Sequence, residues 1–394
     1  MFEEKVKAEI QRTDSISIIK LIDLLILHAQ EENVSDIHID PTEKHIRIRF
    51  RTDGHLQEKY LFQKKLHSEI ISRIKIISRL RTDEHRLPQD GRFRLSLKDG
   101  SYIDLRVSIT PTFYGENAVL RLLRDNANAH DLEDLGLSDK AKAVLLQAIK
   151  NPYGMILATG PTGSGKTTTL YTLLKLLNTP ERSIVTIEDP IEYSIQGIRQ
   201  IQANNQKGLT FAQGLKTIVR QDPDIIMLGE IRDSETAHSA VNISLTGHMI
   251  LSTMHTNDAP TALPRLLDMG IDPYLVASTV EIVIGQRLIR KLCPLCKRSR
   301  DASQQEHDLL KTEIIFYPVG CIECNDSGFK GRIGIYEILV LNEGIRNMVM
   351  DKSPAHAIRS YALKNNMVSM IEDGYRHANS GTTTFQEVRN AVFE

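Results

Sequence analysis

The stretch Gly154-Met-Ile-Leu-Ala-Thr-Gly160-Pro161-Thr162-Gly163-Ser164-Gly165-Lys166-Thr167-Thr168 decides how the rest of the chain is read. An apolar run from Gly154 to Ala158 leads into a glycine-rich octet, Gly160 to Thr167, that fits the phosphate-loop pattern in full. Beyond it, Leu170, Leu173, Leu174 and Leu177 recur at helical spacing, so the octet joins a buried strand to a helix. Glycines let backbone N–H groups converge on phosphate, and the helix N-terminus adds a potential that favours an anion. Lys166 is placed to neutralise β- and γ-phosphate charge, and Thr167 to hold Mg²⁺. The pattern predicts binding of ATP with Mg²⁺ over residues 160–168.

Working outward, apolar runs at Ile184 to Ile187, Ile225 to Leu228 and Met249 to Leu251 alternate with helical stretches as far as about Arg290. This alternation is the signature of a mostly parallel sheet with helices on its faces. Ligands in such sheets lie beyond the carboxyl ends of the strands. Glu188-Asp189 follows the second run, Gly229-Glu230 the third, and His255 comes soon after the fourth. Gly229 stands where a phosphate-loop enzyme ordinarily carries an aspartate, which makes Glu230 the candidate general base. A solvated acid paired with Arg232 is the bland alternative. Glu188 is expected to support Mg²⁺ and water. His248 and His255 flank the fourth run, and neutral imidazole there can sense a phosphate-facing water or a carboxylate.

Up to about Asp134 the pattern is that of a small α+β unit with an antiparallel sheet. Ile46, Ile48 and Phe50 alternate with His45, Arg47, Arg49 and Arg51 before an Asp53-Gly54 turn. A second pair, Arg92 to Leu97 and Ile103 to Ile109, surrounds Asp99-Gly100, and Leu66, Ile70, Ile74 and Ile77 mark a helix between the pairs. Matching Phe93, Leu95 and Leu97 with Val107, Leu105 and Ile103, through a three-residue loop with Gly100 left-handed, places Arg94 opposite Arg106 with Arg92 close by. Like charges so placed call for an anion or a carboxylate between them. A solvated face neutralised by Asp104 is the alternative.

At 394 residues the chain has room for two to three domains of roughly 150 residues. Hydrophobic residues at 41% and charged ones at 25% exclude a disordered, collagenous or coiled-coil protein, and a net charge of -1 excludes a general basic coat for nucleic acid. The most apolar stretch, Ile16 to Leu27, is broken by Ser17, Lys20 and Asp23 and predicts an amphipathic helix rather than a membrane span. The start, Met1-Phe2-Glu3-Glu4-Lys5, is acidic where a signal peptide would be basic, so a cytoplasmic protein is expected. Cys293-x2-Cys296 and Cys321-x2-Cys324, with Pro294 and Gly320 suited to knuckle turns, predict one structural Zn²⁺. Free thiols or a redox pair are the alternatives. A mostly helical tail follows, with Thr384 to Glu387 as a capping box for its last helix.

From about Ser35 to the C-terminus the sequence resembles the type II secretion and type IV pilus assembly ATPases. The resemblance rests on Ser35-Asp-Ile-His-Ile39, Pro88-Gln-Asp-Gly-Arg92, Asp104-Leu-Arg106-Val-Ser108, Gly160 to Thr167 and Thr186-Ile-Glu-Asp-Pro-Ile-Glu192-Tyr193. It continues through Arg220-Gln-Asp-Pro-Asp224, Gly229-Glu-Ile-Arg-Asp233, Thr246 to Thr256, Gln286-Arg287-Leu288 and both cysteine pairs. It implies a homohexameric cytoplasmic motor with a PAS-like N-terminal domain and a RecA-like ATPase domain that move against each other. It further implies that Arg92 and Arg106 reach the γ-phosphate and that the motor works an inner-membrane platform protein, with no direct nucleic-acid partner. The corresponding domains are residues 1–134, 135–290, a tetracysteine subdomain at 291–340 and a helical region at 341–394. Only 34 residues precede Ser35, too few for the additional recruitment domain that members often carry. A shortened pilus ATPase and a DNA-uptake competence ATPase both fit that pattern. Two rival classes remain: a nucleic-acid motor, suggested by the Arg47, Arg49 and Arg51 ladder, and an assembly regulator that uses ATP only as a switch.

Overall fold

The computed structural model describes residues 2–10, 12, 16–97, 102–123, 131–204 and 207–393. The chain divides into two units, Met1–Asn126 and Ala127–Glu394.

In the first unit, a helix over Ile18–Glu31 begins where the Ser17 hydroxyl accepts the Lys20 N–H, and it buries Leu21, Ile22, Leu25 and Ile26. The strands are β1 (Asp36–Pro41), β2 (His45–Thr52), β3 (His55–Gln63), β4 (Gln89–Ser96), β5 (Tyr102–Thr112) and β6 (Gly115–Leu123). They form one antiparallel sheet in the order β3-β2-β1-β6-β5-β4. Ile46, Ile48 and Phe50 are fully buried, as the alternation requires, and Ile70, Ile71 and Ile74 of the helix His67–Ile77 join the same core.

The β4–β5 register corrects the expected one. Phe93 opposes Leu105 and Leu95 opposes Ile103, so Arg94 faces Asp104, and it is Arg92 that faces Arg106. The two registers differ by two residues. That slip leaves every side chain on its own face, so alternation cannot separate the two. Charge pairing can: Arg94 donates to both carboxylate oxygens of Asp104 at 2.7 and 2.8 Å and stacks over Tyr102. The Asp99-Gly100 turn lies outside the described residues.

The second unit is built on a sheet of seven strands in the order β15-β12-β7-β11-β10-β8-β9. These are β7 (Gly154–Thr159), β8 (Ile184–Glu188), β9 (Arg199–Gln202), β10 (Ile225–Leu228), β11 (Met249–Met254), β12 (Val280–Leu292) and, after a separate two-stranded sheet of β13 (Arg298–Asp301) and β14 (Ile314–Tyr317), β15 (Phe329–Val340). All pairings are parallel except that of β15 with β12. The four apolar runs are the adjacent parallel strands β7, β11, β10 and β8, buried on both faces. Helices over Glu343–Met350, Ala355–Lys364, Met370–Asn379 and Phe385–Phe393 follow. The last opens on half of the expected box: Thr384 accepts the Glu387 N–H, but the Glu387 carboxylate is taken by Arg290.

Candidate active site

The carboxyl end of β7 runs into the glycine loop, and the helix Lys166–Leu177 leaves from it. Two glycines there are imposed by close approach. A Cβ on Gly160, at φ +142°, would lie 2.3 Å from the Gln286 carbonyl oxygen, and one on Gly165, at φ +87°, would lie 2.8 Å from the Gln286 side-chain nitrogen. Gln286, on β12, thus backs the loop, and its Oε1 accepts the Thr169 hydroxyl at 2.8 Å. The Lys166 ammonium donates to the carbonyls of Gly160 and Pro161 at 2.8 and 3.0 Å, and burial lowers its pKa while the Glu230 charge raises it. Pro161, Thr162 and Gly163 form the exposed tip, Thr167 and Thr168 are half-buried in the first helical turn, and the buried Ser164 hydroxyl has no hydrogen-bond partner. An ammonium gathered into the loop, a helix N-terminus and an unpaired hydroxyl fit a phosphate group.

Glu230 and His255 meet at the same end of the sheet. Thr159 pairs with Met254, so Gly160 and His255 leave their strands side by side, and Glu230 follows β10, the next strand. The Glu230 carboxylate is 7% exposed and accepts from Arg232 Nε at 2.6 Å and from His255 Nε2 at 3.1 Å. The pairing with Arg232 foreseen as the bland alternative is therefore present, on a carboxylate that is buried and electrostatically linked to Lys166. The structure also accounts for Gly229: a Cβ there would sit 3.2 Å from the Glu188 Cα.

Of the other expected site residues, Glu188 lies at the same end of the sheet as Glu230, on the strand next to β10, and His248 lies at the opposite end. His248 precedes β11, so it lies at the amino end of a strand whose carboxyl end carries His255, a separation of about 20 Å for six residues. Its Nδ1 reaches the Ile243 carbonyl at 3.1 Å, at the end of the helix Ser234–Leu245. Glu188 ends β8 at 2% exposure, with both carboxylate oxygens engaged. Oε2 accepts the Tyr171 hydroxyl, and Oε1 accepts the Thr186 hydroxyl at 2.5 Å and the Gln200 amide at 3.3 Å. Burial raises its pKa against these three donors. The carboxylates that follow it, Asp189 and Glu192, are exposed and half-exposed. Nothing in the sequence links Tyr171 and Gln200 to Glu188.

In the first unit, Arg92, Arg106 and Arg121 form one cross-strand row, continued by Asp36 of β1. Asp36 accepts from Arg121 Nε at 2.8 Å; among the described residues no carboxylate pairs with Arg92 or Arg106. The row keeps two like charges opposed without a counter-ion, the arrangement that favours a bound anion. The Arg47, Arg49 and Arg51 ladder is different: Arg49 pairs with Asp40 at 2.8 Å, and Arg51 donates to the Gly54 carbonyl at 2.8 Å.

The four cysteine sulfurs lie within 4.8 Å of one another, a cluster that can hold a metal ion. Neighbouring sulfurs are 3.7–3.8 Å apart. Thiolates about 2.3 Å from Zn²⁺ in a tetrahedron stand about 3.8 Å apart, so the spacing fits. Burial pushes the Cys324 thiol up, but the N–H groups of Cys321 and Gly328, each 3.2 Å from its sulfur, help bring it down to about 7.

A glycine loop between a buried parallel strand and a helix, with a carboxylate beyond the neighbouring strands, defines a protein of the phosphate-loop class. Residues 11–390 match the family model described as type II/IV secretion system protein, and the chain belongs to that family. It is 42% identical over 393 residues to the type IV pilus assembly ATPase PilB of Myxococcus xanthus, covering 98% of this chain and 69% of that one. With the type II secretion system protein E of Dickeya dadantii the identity is 46% over 378 residues, 95% of this chain and 76% of the relative. The solved ATPase DotB of Legionella pneumophila, 20% identical, shares the fold at a TM-score of 0.73 over 96% of this chain and 97% of that one. Among the described residues no helix is long and apolar enough to cross a membrane.

Proposed function

We propose that this chain is an ATP-hydrolysing motor, working as a homohexamer, that powers assembly of a type IV pilus or a type II secretion pseudopilus. The observation that carries the proposal is the meeting of Lys166, Glu230 and His255 at one end of the parallel sheet. Loop residues Gly160 to Thr168 bind the phosphates, and Thr167 is the residue that would hold Mg²⁺, whose charge would offset that of the phosphate oxygens. Glu230 accepts a proton from the attacking water, and His255 holds its carboxylate in place. Arg92 and Arg106 clamp the γ-phosphate from the N-terminal domain, which reports the nucleotide state to the body that carries them. Cys293, Cys296, Cys321 and Cys324 hold one structural Zn²⁺.

In this account residues 1–134 form a PAS-like domain, 135–290 a RecA-like ATPase domain, 291–340 the zinc subdomain and 341–394 a helical region. The motor is cytoplasmic and meets the inner membrane through a platform protein. The names of the PilB and protein E relatives support the pilus and secretion reading. DNA-uptake competence is the alternative within the same family. A nucleic-acid motor is disfavoured because Arg49 and Arg51 are already engaged.

The test is Glu230→Gln measured beside Lys166→Ala. Glu230→Gln is expected to bind ATP and lose hydrolysis, and Lys166→Ala to lose binding. Turnover retained by Glu230→Gln removes that residue from the mechanism, and a wild-type rate equal to that of Lys166→Ala removes the motor.

A further inference from the structure

Tyr171 lies five residues beyond Lys166 on the same helix, fully buried, and its hydroxyl is spent on Glu188. The Thr186 hydroxyl and the Gln200 amide close the other side of that carboxylate. Gln200 does more: its amide donates to the Tyr193 carbonyl at 3.0 Å, and its Oε1 accepts the Ile195 N–H at 2.7 Å. The Tyr193 ring stands edge-on to Tyr171, with centroids 4.7 Å apart. Three donors thus converge on one acceptor-only group, and the segment that follows it is tied at both ends to the helix of the glycine loop. Three of the roughly four acceptor sites of this carboxylate are thus taken, which leaves one, on Oε2, and holds the group in a single orientation.

We propose that Tyr171 and Glu188 are a positioning pair that fixes residues 189–193, with the carboxylates of Asp189 and Glu192, against the helix carrying Lys166 and Thr167. The proposal rests on the ATPase assignment above for its activity readout, and on the hydrogen-bond network alone for its structural one. Neither residue touches the nucleotide. Each acts through the segment it holds, so loss of either disturbs the same geometry and their effects overlap instead of adding.

The experiment is a double-mutant cycle of Tyr171→Phe, Glu188→Gln and the double variant, with Gln200→Ala as an independent cut in the same network. Tyr171→Phe keeps the ring and its packing and removes one hydroxyl. It is expected to lower kcat about ten- to hundredfold, the worth of one hydrogen bond to a charged group, with KM for MgATP changed less than about twofold. The double variant is expected to be no slower than the slower single variant. Amide exchange over residues 189–195 is expected to speed up in Tyr171→Phe and Gln200→Ala without nucleotide, a readout independent of turnover. If Tyr171→Phe keeps wild-type kcat and wild-type exchange, or if Glu188→Gln abolishes turnover while the two effects multiply, Glu188 works alone at the reaction and the proposal is overturned. Should the wild-type chain hydrolyse no ATP, the ATPase assignment falls, and the exchange measurement still decides the network.

Discussion

The three loop glycines carry different loads, so replacing each by alanine should give a graded series. Gly163 sits at φ +80° with nothing within 4 Å of a built Cβ, so alanine there meets only the left-handed backbone. That costs about 1–2 kcal/mol, partly offset by about 0.4–1 kcal/mol from a stiffer unfolded chain. Gly165, at φ +87°, adds a contact at 2.8 Å with the Gln286 amide, which cannot withdraw without breaking its buried bond to Thr169. An unsatisfied buried amide adds about 1–3 kcal/mol, for a total of about 1–4.5 kcal/mol after the same offset. At Gly160 the Cβ would meet a β12 backbone carbonyl at 2.3 Å, and only a shift of the strand relieves it, so the loss exceeds that at Gly165. Thermal unfolding without nucleotide reads the series, at about 2–4 °C per kcal/mol for a domain of this size. The expected order of stability is Gly163→Ala, then Gly165→Ala, then Gly160→Ala. Equal losses at Gly163 and Gly165 would refute the claim that Gln286 dictates the loop's composition.

Other perturbations probe the remaining parts. Arg359→Ala strips Glu337, 1% exposed, and Asp258 of their partner at 3.4 and 2.8 Å. With Arg359 itself partly solvated the loss is about 2–3 kcal/mol. Burial already raises the Glu337 pKa above 4.5, so the folded state holds the proton more tightly and stability falls as pH rises past that value. The variant's deficit against wild type, measured by denaturant unfolding, should therefore widen from pH 4.5 to neutrality. Metal analysis should return about one zinc per chain, and chelation should speed amide exchange over residues 293–324 while leaving MgATP affinity intact; an absence of zinc contradicts the assignment. Arg106→Ala should cut kcat by at least about 10³-fold with ATP affinity preserved, and an unchanged rate ends the clamp.

The inner sheet was legible because fully buried parallel strands leave short apolar runs, and Gly154 to Ala158 and its three counterparts mark β7, β8, β10 and β11. The strands β9, β12 and β15 were not: β12 interrupts its apolar residues with Arg287, Arg290 and Lys291, and its antiparallel partner β15 begins 37 residues after Leu292, beyond the reach of local pattern. In the first unit alternation placed every side chain of β4 and β5 on its face yet missed the register by two. Only the Arg94–Asp104 pairing breaks that degeneracy. Parity alone cannot bring Arg121 into the row, because β6 is linked to β5 and β1 by tertiary pairing. The same limit hid Tyr171 and Gln200, whose bonds to Glu188 exist only once helix and sheet have packed.

The most direct measurement is the structure of the assembled protein with Mg²⁺ and a non-hydrolysable ATP analogue. A guanidinium of Arg92 or Arg106, from the same or a neighbouring subunit, should stand within hydrogen-bond distance of a γ-phosphate oxygen whose other side faces Lys166. A γ-phosphate surrounded only by groups of the ATPase unit would contradict the account.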